Sequence, residues 1–384
     1  MTNPFEFGRE LSATEIVDRA DEVGRVVRAL RGRERLFVIG PRRFGKTSIL
    51  RAAQERAEGE GAVVLRYNAE GYPSLAALAE RIVADAAKRL TGPVQKAGKR
   101  IQEAFSALRP QLSYSPLTDT FSASLTAADD RPAPTLIADA LSGLDRLAAD
   151  ADGPVAVVVD EFQRVVEDGG VAAEGQVRAA VQAHDHVGYV FAGSKTRMLA
   201  EMTGDESRPF YRLGARLFVG PVPRDDFRPA IAAGFEDAGL AIAADAIEAV
   251  LDLAEDVPYN VQRLAHEAWA GALATGEPVT AEGVRATLDR LASRDDPFYT
   301  QTWNGLSRTQ KQALLAVARE GGTGLYAGDL LRAYDLASPS TMRTALQALT
   351  KVGVTREEEH QGGVRVRLED PFFAAWLRLF VARP

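Results

Sequence analysis

The stretch that decides the fold is a short apolar run that leads into a glycine-containing loop, Leu36-Phe37-Val38-Ile39-Gly40-Pro41-Arg42-Arg43-Phe44-Gly45-Lys46-Thr47-Ser48. The run before the loop has the length and composition of a buried strand, and a helical pattern follows the loop. The loop fits G-x-x-x-x-G-K-[ST], a pattern in which glycines let backbone N–H groups face phosphate oxygens. A phosphate-binding loop between a strand and a helix is therefore predicted at residues 40–47.

The side chains of this loop extend the prediction to a nucleotide and its metal ion. Lys46 supplies a positive charge for phosphate, Thr47 supplies a hydroxyl ligand for Mg²⁺, and the following helix directs its positive N-terminus at the same site. Only 7 of the 46 basic residues are lysines, so chance is a poor explanation for a lysine at this position. No N-K-x-D guanine-specificity box occurs, which favours ATP over GTP. We therefore predict that residues 40–48 bind ATP and that Thr47 binds Mg²⁺.

A second apolar run, residues 155–159, ends in Asp160 and Glu161. Because parallel strands end at the same edge of a sheet, we expect both carboxylates to lie beside the phosphate loop. Asp160 is predicted to hold Mg²⁺ through water, and Glu161 to orient and deprotonate the water that attacks ATP. Glu161 and Lys46 are therefore predicted catalytic residues.

Ser194 follows a third apolar run and is a further catalytic candidate. Its hydroxyl is suited to a hydrogen bond with the γ-phosphate or the attacking water, but a helix N-cap for residues 195–202 is an equally good interpretation. Arg208, Arg212 and Arg216 come next, and any of them can reach a γ-phosphate in cis or from a neighbouring subunit. Surface solvation is the alternative for each arginine.

The order of elements predicts an α/β fold, a P-loop αβα sandwich with a five-stranded parallel sheet, in residues 1–221. An insertion at residues 91–134 carries a predicted hairpin, for which a mobile surface excursion and a partner-binding role are equally good interpretations. From residue 222 on, the sequence pattern is typical of helices, which predicts a helical lid at 222–299. Three helices and two alternating strands around a Gly-Gly turn predict a winged helix at 300–384.

The predicted winged helix has features suited to double-stranded DNA. Arg343, on the outer face of a predicted helix at 338–351, and Arg365 and Arg367, on the second wing strand, are candidate DNA contacts. Residues 303–384 carry a net charge of +3, against −10 for the rest of the chain, which permits nucleic-acid contact. The acidic wing tip at 357–359 would instead repel a DNA backbone. DNA, a protein partner and self-association therefore remain alternatives.

Several further motifs carry a family resemblance. They are Asn3-Pro4-Phe5-Glu6-Phe7-Gly8, Val17-Asp18-Arg19-Ala20-Asp21-Glu22, the Arg-Arg-Phe interior of the loop, Asp160-Glu161, Gly193-Ser194 and Arg208-Pro209-Phe210-Tyr211. Together they resemble the archaeal-type ATPase family, relatives of STAND and AAA+ ATPases found in archaea and bacteria. The resemblance covers residues 3–275, and the C-terminal part resembles the winged helix that family members append.

The resemblance implies roles for residues that no general motif identifies. Phe5, Phe7 and Arg19 would lie near the adenine, and Pro258 and Tyr259, at the start of a lid helix, would touch the nucleotide. Arg263 would act as a sensor of the bound nucleotide. At Val257 the chain departs from the family pattern, in which glycine often precedes the proline.

Composition limits the remaining function classes. The 384 residues include no cysteine, which excludes disulfides, thiolate catalysis and cysteine-ligated metals. No run approaches the roughly 20 apolar residues of a membrane span, and the N-terminus lacks a signal-peptide pattern, so we expect a cytoplasmic protein without a membrane partner. The expected function is a nucleotide-dependent switch with slow ATP hydrolysis that acts on DNA or as a signalling scaffold. A metabolic kinase is disfavoured because no small-substrate pocket is evident.

Overall fold

The computed structural model describes residues 2–91, 94–115, 120–125, 132–360 and 363–381. It divides into two compact units, a core unit of Gly8–Val222 and a C-terminal unit of Met1–Phe7 with Pro223–Pro384. This division falls one residue from the predicted boundary at 221/222, but the N-terminal residues up to Phe7 belong to the C-terminal unit. The three-domain division stays a prediction. Residues 92, 93, 116–119 and 126–131 of the predicted insertion lie outside the described residues.

The strands form one parallel sheet and two hairpins. In chain order they are β1 (Arg35–Ile39), β2 (Val63–Asn68), β3 (Pro110–Ser115), β4 (Thr120–Leu125), β5 (Val155–Asp160), β6 (Val187–Gly193), β7 (Ala215–Phe218), β8 (Thr355–His360) and β9 (Gly363–Leu368). The sheet has the order β2-β5-β6-β1-β7, with every neighbouring pair parallel. The prediction of a five-stranded parallel sheet is therefore confirmed. Strands β3 and β4 pair antiparallel, as do β8 and β9.

The helices flank the sheet in the core unit and make up most of the C-terminal unit. In chain order they are α1 (Ala20–Gly32), α2 (Lys46–Gly59), α3 (Leu75–Leu90), α4 (Val94–Ala104), α5 (Ala133–Ala148), α6 (Gln163–Ala183), α7 (Thr196–Gly204), α8 (Arg224–Glu236), α9 (Ala244–Leu253), α10 (Pro258–Thr275), α11 (Ala281–Arg294), α12 (Asp296–Asn304), α13 (Arg308–Glu320), α14 (Gly328–Ala333), α15 (Pro339–Lys351) and α16 (Pro371–Trp376). Among the described residues, no helix combines the length and hydropathy needed to cross a bilayer.

The core of the first unit lies between the sheet and its helices. Strands β5 and β6 are buried along their whole length, as expected for central parallel strands covered on both faces. Apolar side chains of the sheet, including Phe37, Tyr189 and Phe191, pack with those of α3, α5 and α6 in one cluster. Helices α1 and α2 contact the strands as well. The sheet is therefore rigidly held, and the loops at its carboxyl edge have a fixed support.

Left-handed backbone conformations set the start of α1 and the kink of α6. Helix α1 begins at Ala20, because Asp18 (φ 54°) and Arg19 (φ 83°) adopt left-handed conformations that cannot continue a helix. Helix α6 contains a kink at Gly170 (φ 64°). Such a backbone angle suits glycine, which has no Cβ.

The C-terminal unit contains helices α8 to α11 and a winged helix. Helices α13 to α15 and the hairpin β8–β9 give the predicted arrangement of three helices and a wing. Ser338 caps α15 by accepting a hydrogen bond from the Thr341 backbone N–H. Helices α12 and α16 are absent from the prediction; Tyr299 of α12 stacks on Phe373 of α16 at 5.0 Å between ring centroids. Helix α16 also packs against α11 and β9, so these two short helices add to the apolar core of the C-terminal unit.

Candidate active site

The glycine loop joins β1 to α2 at the carboxyl edge of the sheet. Gly45 precedes α2 in a left-handed conformation (φ 84°) that favours glycine. Gly40 is required for a different reason: a Cβ at this position would lie 2.5 Å from the carbonyl oxygen of Val219. Lys46 is 5% exposed, and its Nζ donates a hydrogen bond to the carbonyl oxygen of Pro41 at 2.8 Å. The loop therefore has the backbone geometry and the buried ammonium that phosphate binding requires.

Thr47 and Asp160 are brought together as the sequence predicts. Thr47 Oγ1 donates a hydrogen bond to Asp160 Oδ2 at 2.9 Å, and Asp160 Oδ1 accepts from the Glu161 backbone N–H at 2.9 Å. Mg²⁺ prefers hydroxyl and carboxylate oxygens and usually keeps several waters and phosphate oxygens as its other ligands. These two side chains therefore fit a magnesium site in which Thr47 binds the ion and Asp160 holds it through water. No cluster of three or more His, Cys, Asp or Glu occurs within the described part of the chain to suggest another metal site.

Asp160 is nearly inaccessible, with 2% of its surface exposed. Burial raises the pKa of Asp160, and the adjacent Glu161 carboxylate raises it further, while the Thr47 hydrogen bond and the charge of Lys46 act in the opposite direction. Ionisation of this carboxylate is therefore less favourable than it would be in water. A divalent cation would relieve this cost by compensating the charge.

The raised pKa of Asp160 predicts a pH-dependent effect of Asp160→Asn. A group whose pKa is higher in the folded state makes its full contribution to stability below its unfolded pKa, and this contribution is lost as pH rises through the folded pKa. Asparagine removes the cost of ionisation, so the nucleotide-free variant should melt at a higher temperature than wild type near neutral pH. The difference should disappear in acid, and stabilisation by Mg-ATP should be lost. Thermal denaturation across pH checks this; a lower melting temperature for the variant at neutral pH would contradict it.

Glu161 is held at the same edge of the sheet by hydrogen bonds from Ser194, which follows β6, and from Gln163, which follows β5. Ser194 Oγ donates to Glu161 Oε2 at 2.8 Å, and the Ser194 backbone N–H donates to the same oxygen at 3.2 Å. The Ser194 side chain does not cap α7, so the interpretation of this residue as an N-cap is wrong. Gln163 Nε2 also donates to Glu161 Oε2. The motifs do not identify Gln163, because its role depends on where Ser194 lies in the fold.

These hydrogen bonds determine the charge state of Glu161. Burial alone would raise its pKa, but the hydrogen bonds from Gln163 and Ser194 and the positive charge of Lys46 outweigh burial and hold the pKa below its ordinary value. The carboxylate is therefore ionised at neutral pH. An ionised carboxylate next to a phosphate site can accept a proton from water, as the predicted role requires.

The remaining predicted nucleotide contacts fall in both units. In the core unit, Arg19 is buried, pairs with Glu22 at 2.8 Å and donates to the carbonyl oxygen of Gly220. In the C-terminal unit, the Phe7 ring meets the edge of Tyr259 at 5.9 Å between centroids, directly after Pro258 at the start of α10. The nucleotide roles of Phe7, Arg19 and Pro258 stay predictions.

The candidate arginines have different surroundings. Arg208 is paired with Glu174, a fully buried carboxylate of α6, with its Nε at 3.1 Å. Arg212 is exposed in a left-handed conformation (φ 54°), with its guanidinium 4.9 Å from the Tyr211 ring centroid. Arg263 pairs with Asp295 and lies over the Phe372 ring at 5.1 Å. Of the three, only Arg212 presents an exposed side chain, but all three roles stay predictions.

The candidate DNA contacts of the winged helix also differ from one another. Arg343 is exposed on α15, 5.9 Å from the Tyr326 ring centroid, and Arg365 Nε donates to the carbonyl oxygen of Gly321 at 2.7 Å. Arg367 is paired with Glu358 at 2.7 Å and with Glu255, before α10, at 3.0 Å. Arg367 is therefore committed to ion pairs within the unit.

A groove of about 430 Å³ lies between α13 and α15. Most of its lining side chains carry hydroxyl or amide groups, and the rest are alanines: Ser307, Thr309, Gln310, Ser340, Thr341, Thr344, Ala345 and Ala348. The lining has no acidic residue, so it presents hydrogen-bonding groups without repelling an anion. Arg343 and Thr344 are both exposed on α15, and Thr344 lines the groove.

Comparisons with known proteins agree with this geometry. Residues 15–179 match the "AAA ATPase domain" family, and residues 297–379 match the "Probable winged helix domain" family. No curated protein matches the chain. The Walker-type ATPase of Pyrococcus abyssi is a similar solved structure, with 18% identity, a TM-score of 0.64, and coverage of 98% of this chain and 99% of that chain.

Two proteins of Aeropyrum pernix also have similar structures. The ORC2 protein has 15% identity and a TM-score of 0.55, covering 98% of this chain and 97% of that chain. The ORC1 protein, solved in complex with DNA, has 17% identity and a TM-score of 0.50, covering 98% of this chain and 95% of that chain. At these identities the similarity shows the fold. The family matches, the parallel sheet and the glycine loop together show that the chain carries an AAA ATPase domain with a P-loop, followed by a winged helix domain.

Proposed function

We propose that the protein is a cytoplasmic, nucleotide-dependent switch that binds Mg-ATP, hydrolyses it slowly and couples its nucleotide state to DNA binding by the winged helix. The observation that carries the proposal is the arrangement at the sheet edge. There Thr47 is hydrogen-bonded to Asp160, and Glu161 is anchored by Ser194, next to the loop that contains Lys46. Oxygen ligands suited to Mg²⁺, a carboxylate suited to the role of base and the glycine loop therefore lie at one edge of the sheet, which supports the proposal.

The residues divide the work of hydrolysis among them. The loop amides and Lys46 bind the phosphates, and Thr47 and Asp160 would hold Mg²⁺, which neutralises phosphate charge when bound. Glu161 orients a water molecule and takes its proton as the water oxygen bonds to the γ-phosphorus. The bond from the γ-phosphorus to the bridging oxygen breaks, and that oxygen leaves on ADP. Ser194 keeps Glu161 in place during this step.

The winged helix is the part of the chain that would bind DNA in response to the nucleotide. The exposed face of α15 and the adjoining groove carry hydroxyl and amide groups with Arg343, a composition suited to the groove and backbone of DNA. The acidic residues of the wing were expected to repel a DNA backbone. The ion pair between Glu358 and Arg367 reduces this repulsion, because it neutralises one of these charges. Since Arg367 is engaged in this way, we expect Arg343 and Arg365 to make the larger contribution to DNA affinity.

Duplex affinity in two nucleotide states tests the proposal. Glu161→Gln, which should hold ATP without cleaving it, is titrated into a labelled duplex by fluorescence anisotropy with Mg-ATP and with Mg-ADP. Affinities that differ by about fivefold or more would support a switch. Equal affinities would contradict coupling. Absence of DNA binding together with ATP-dependent self-association in light-scattering chromatography would favour the scaffold alternative.

Arginine variants test the predicted DNA surface. Arg343→Ala and Arg365→Ala should each weaken duplex binding and reduce the slope of log affinity against log salt by about one. Arg378→Ala is the matched control, because it removes the same charge from an exposed position outside α15 and the wing. Salt titrations by anisotropy check the slopes. The surface is wrongly placed if Arg378→Ala lowers the slope as much as the other two variants do.

A further inference from the structure

We propose that Gln163 is a positioning residue for Glu161: its side-chain amide anchors one carboxylate oxygen so that the other is presented to the attacking water. The inference rests on the proposed function, because it assigns a partner to the predicted base. It concerns a residue two positions beyond Glu161, at the start of α6.

The hydrogen bonds to Glu161 are concentrated on one oxygen. Gln163 Nε2, Ser194 Oγ and the Ser194 backbone N–H all donate to Oε2. Oε1 accepts no hydrogen bond from the residues that the structure describes. Gln163 Nε2 lies 3.4 Å from Ser194 Oγ, so the donors form a connected group around the anchored oxygen. A carboxylate held in this way has one fixed orientation and one oxygen with open acceptor sites.

The burial of Gln163 lowers the stability of the folded protein, because one of its polar atoms has no hydrogen-bond partner in the part of the chain that the structure describes. Gln163 is 1% exposed, and its Oε1 is buried without a hydrogen-bond partner among the described residues. A buried unpartnered amide oxygen destabilises a protein, and an apolar side chain of the same size would avoid this penalty. Packing alone therefore does not explain glutamine here. The hydrogen bond from Nε2 to Glu161 does.

Two backbone features support the same placement. Glu161 adopts a left-handed conformation (φ 51°), which costs free energy for a residue with a Cβ and directs its side chain toward Ser194 and Gln163. Gly193 leaves room for the glutamine: a Cβ at residue 193 would lie 2.1 Å from Gln163 Oε1. The Gly193-Ser194 pair thus contributes both space for Gln163 and a hydroxyl for Glu161.

Gln163→Met is the primary test, because methionine keeps the length and approximate volume of glutamine and removes the donor. We expect kcat for ATP hydrolysis to fall by about tenfold, since one hydrogen bond to a charged group is lost. KM for ATP, nucleotide affinity by calorimetry and the melting temperature should stay close to wild type. In a Glu161→Gln background, Gln163→Met should cause no further loss.

If Gln163→Met has the same kcat as wild type, Gln163 does not position Glu161. A parallel loss of affinity, melting temperature and kcat would show a merely structural residue and would also overturn it. The outcome is separable from the proposed function: if wild type hydrolyses ATP and Glu161→Gln does not, the base is established whatever Gln163→Met shows.

A nucleotide-free measurement covers the case in which Gln163→Met does not fold. The Gln163 side-chain amide is assigned in ¹⁵N spectra of wild type without nucleotide. If Nε2 donates to the Glu161 carboxylate, the amide signals should shift and lose protection from solvent exchange in Glu161→Ala. Unchanged signals and protection would overturn the proposal without any activity assay.

Discussion

Replacement of Glu161 by glutamine is expected to stop ATP hydrolysis and to leave ATP binding intact. Glutamine keeps the size of the side chain and an oxygen that can accept the Ser194 hydrogen bonds, but it cannot take a proton from water. General-base catalysis contributes about 10²- to 10⁴-fold, so kcat should fall by about that factor. Phosphate release and nucleotide titration on the same preparation measure the two properties separately.

Glu167→Gln is the control for this experiment, because it makes the same chemical change at an exposed position of α6. Glu167 pairs with Lys195 at the surface, and exposed pairs contribute little to stability. Hydrolysis by this variant should match wild type. The role assigned to Glu161 is wrong if Glu161→Gln hydrolyses ATP at the wild-type rate, or if it loses ATP binding to the same degree as hydrolysis.

Replacement of Lys46 by alanine is expected to weaken nucleotide binding by about 100-fold or more. Lys46 is buried at the start of α2, and truncation of one member of a desolvated charge pair costs about 2–5 kcal/mol, where each 1.4 kcal/mol is tenfold in affinity. The effect should be larger for ATP than for AMP, because the ammonium is predicted to contact the terminal phosphates. Isothermal titration with both nucleotides checks the magnitude and this difference.

Two variants control for other effects of the Lys46 substitution. Lys46→Met retains most of the buried aliphatic stem, so a loss of affinity in this variant is due to the charge. Lys195→Ala removes an exposed lysine that follows Ser194 and pairs with Glu167, and it should bind ATP as wild type does. Unchanged ATP affinity in Lys46→Ala would exclude the loop as the phosphate site.

The sequence predicts the phosphate loop and both carboxylates because their positions follow from local rules. A strand, a glycine loop and a helix occupy consecutive residues, so Lys46 and Thr47 are placed by the loop itself. Asp160 is placed by its strand, because parallel strands end at one edge and a wholly buried strand is visible as an uninterrupted apolar run. The contact of Thr47 with Asp160 needs no further information.

The environment of Glu161 could not be predicted in this way. Gln163 and Ser194 are 31 residues apart, and their proximity depends on the pairing of β5 with β6 and on the turn that starts α6. A glutamine two residues beyond an acidic pair carries no signal by itself. The choice between an N-cap and a site residue for Ser194 likewise depends on where its hydroxyl points, which backbone geometry decides.

Pairings between distant elements limited the prediction in the C-terminal unit. Arg365 and Arg367 share one face of β9 and are equivalent as a sequence pattern, yet only Arg367 meets Glu255, a residue before α10. The N-terminal segment is a second case: Asn3 Nδ2 donates to the carbonyl oxygen of His266, 263 residues away. Neither contact has a local determinant, so neither is visible before the chain is folded.

The most direct measurement of the central claim, that the core unit hydrolyses magnesium-bound ATP through Glu161, is a single-turnover assay with labelled ATP and excess protein. Wild type should convert bound ATP to ADP and phosphate with Mg²⁺ and leave it intact with a chelator. Glu161→Gln should hold intact ATP under both conditions. Bound ATP that stays uncleaved by wild type with Mg²⁺, or equal cleavage by wild type and Glu161→Gln, would contradict the claim.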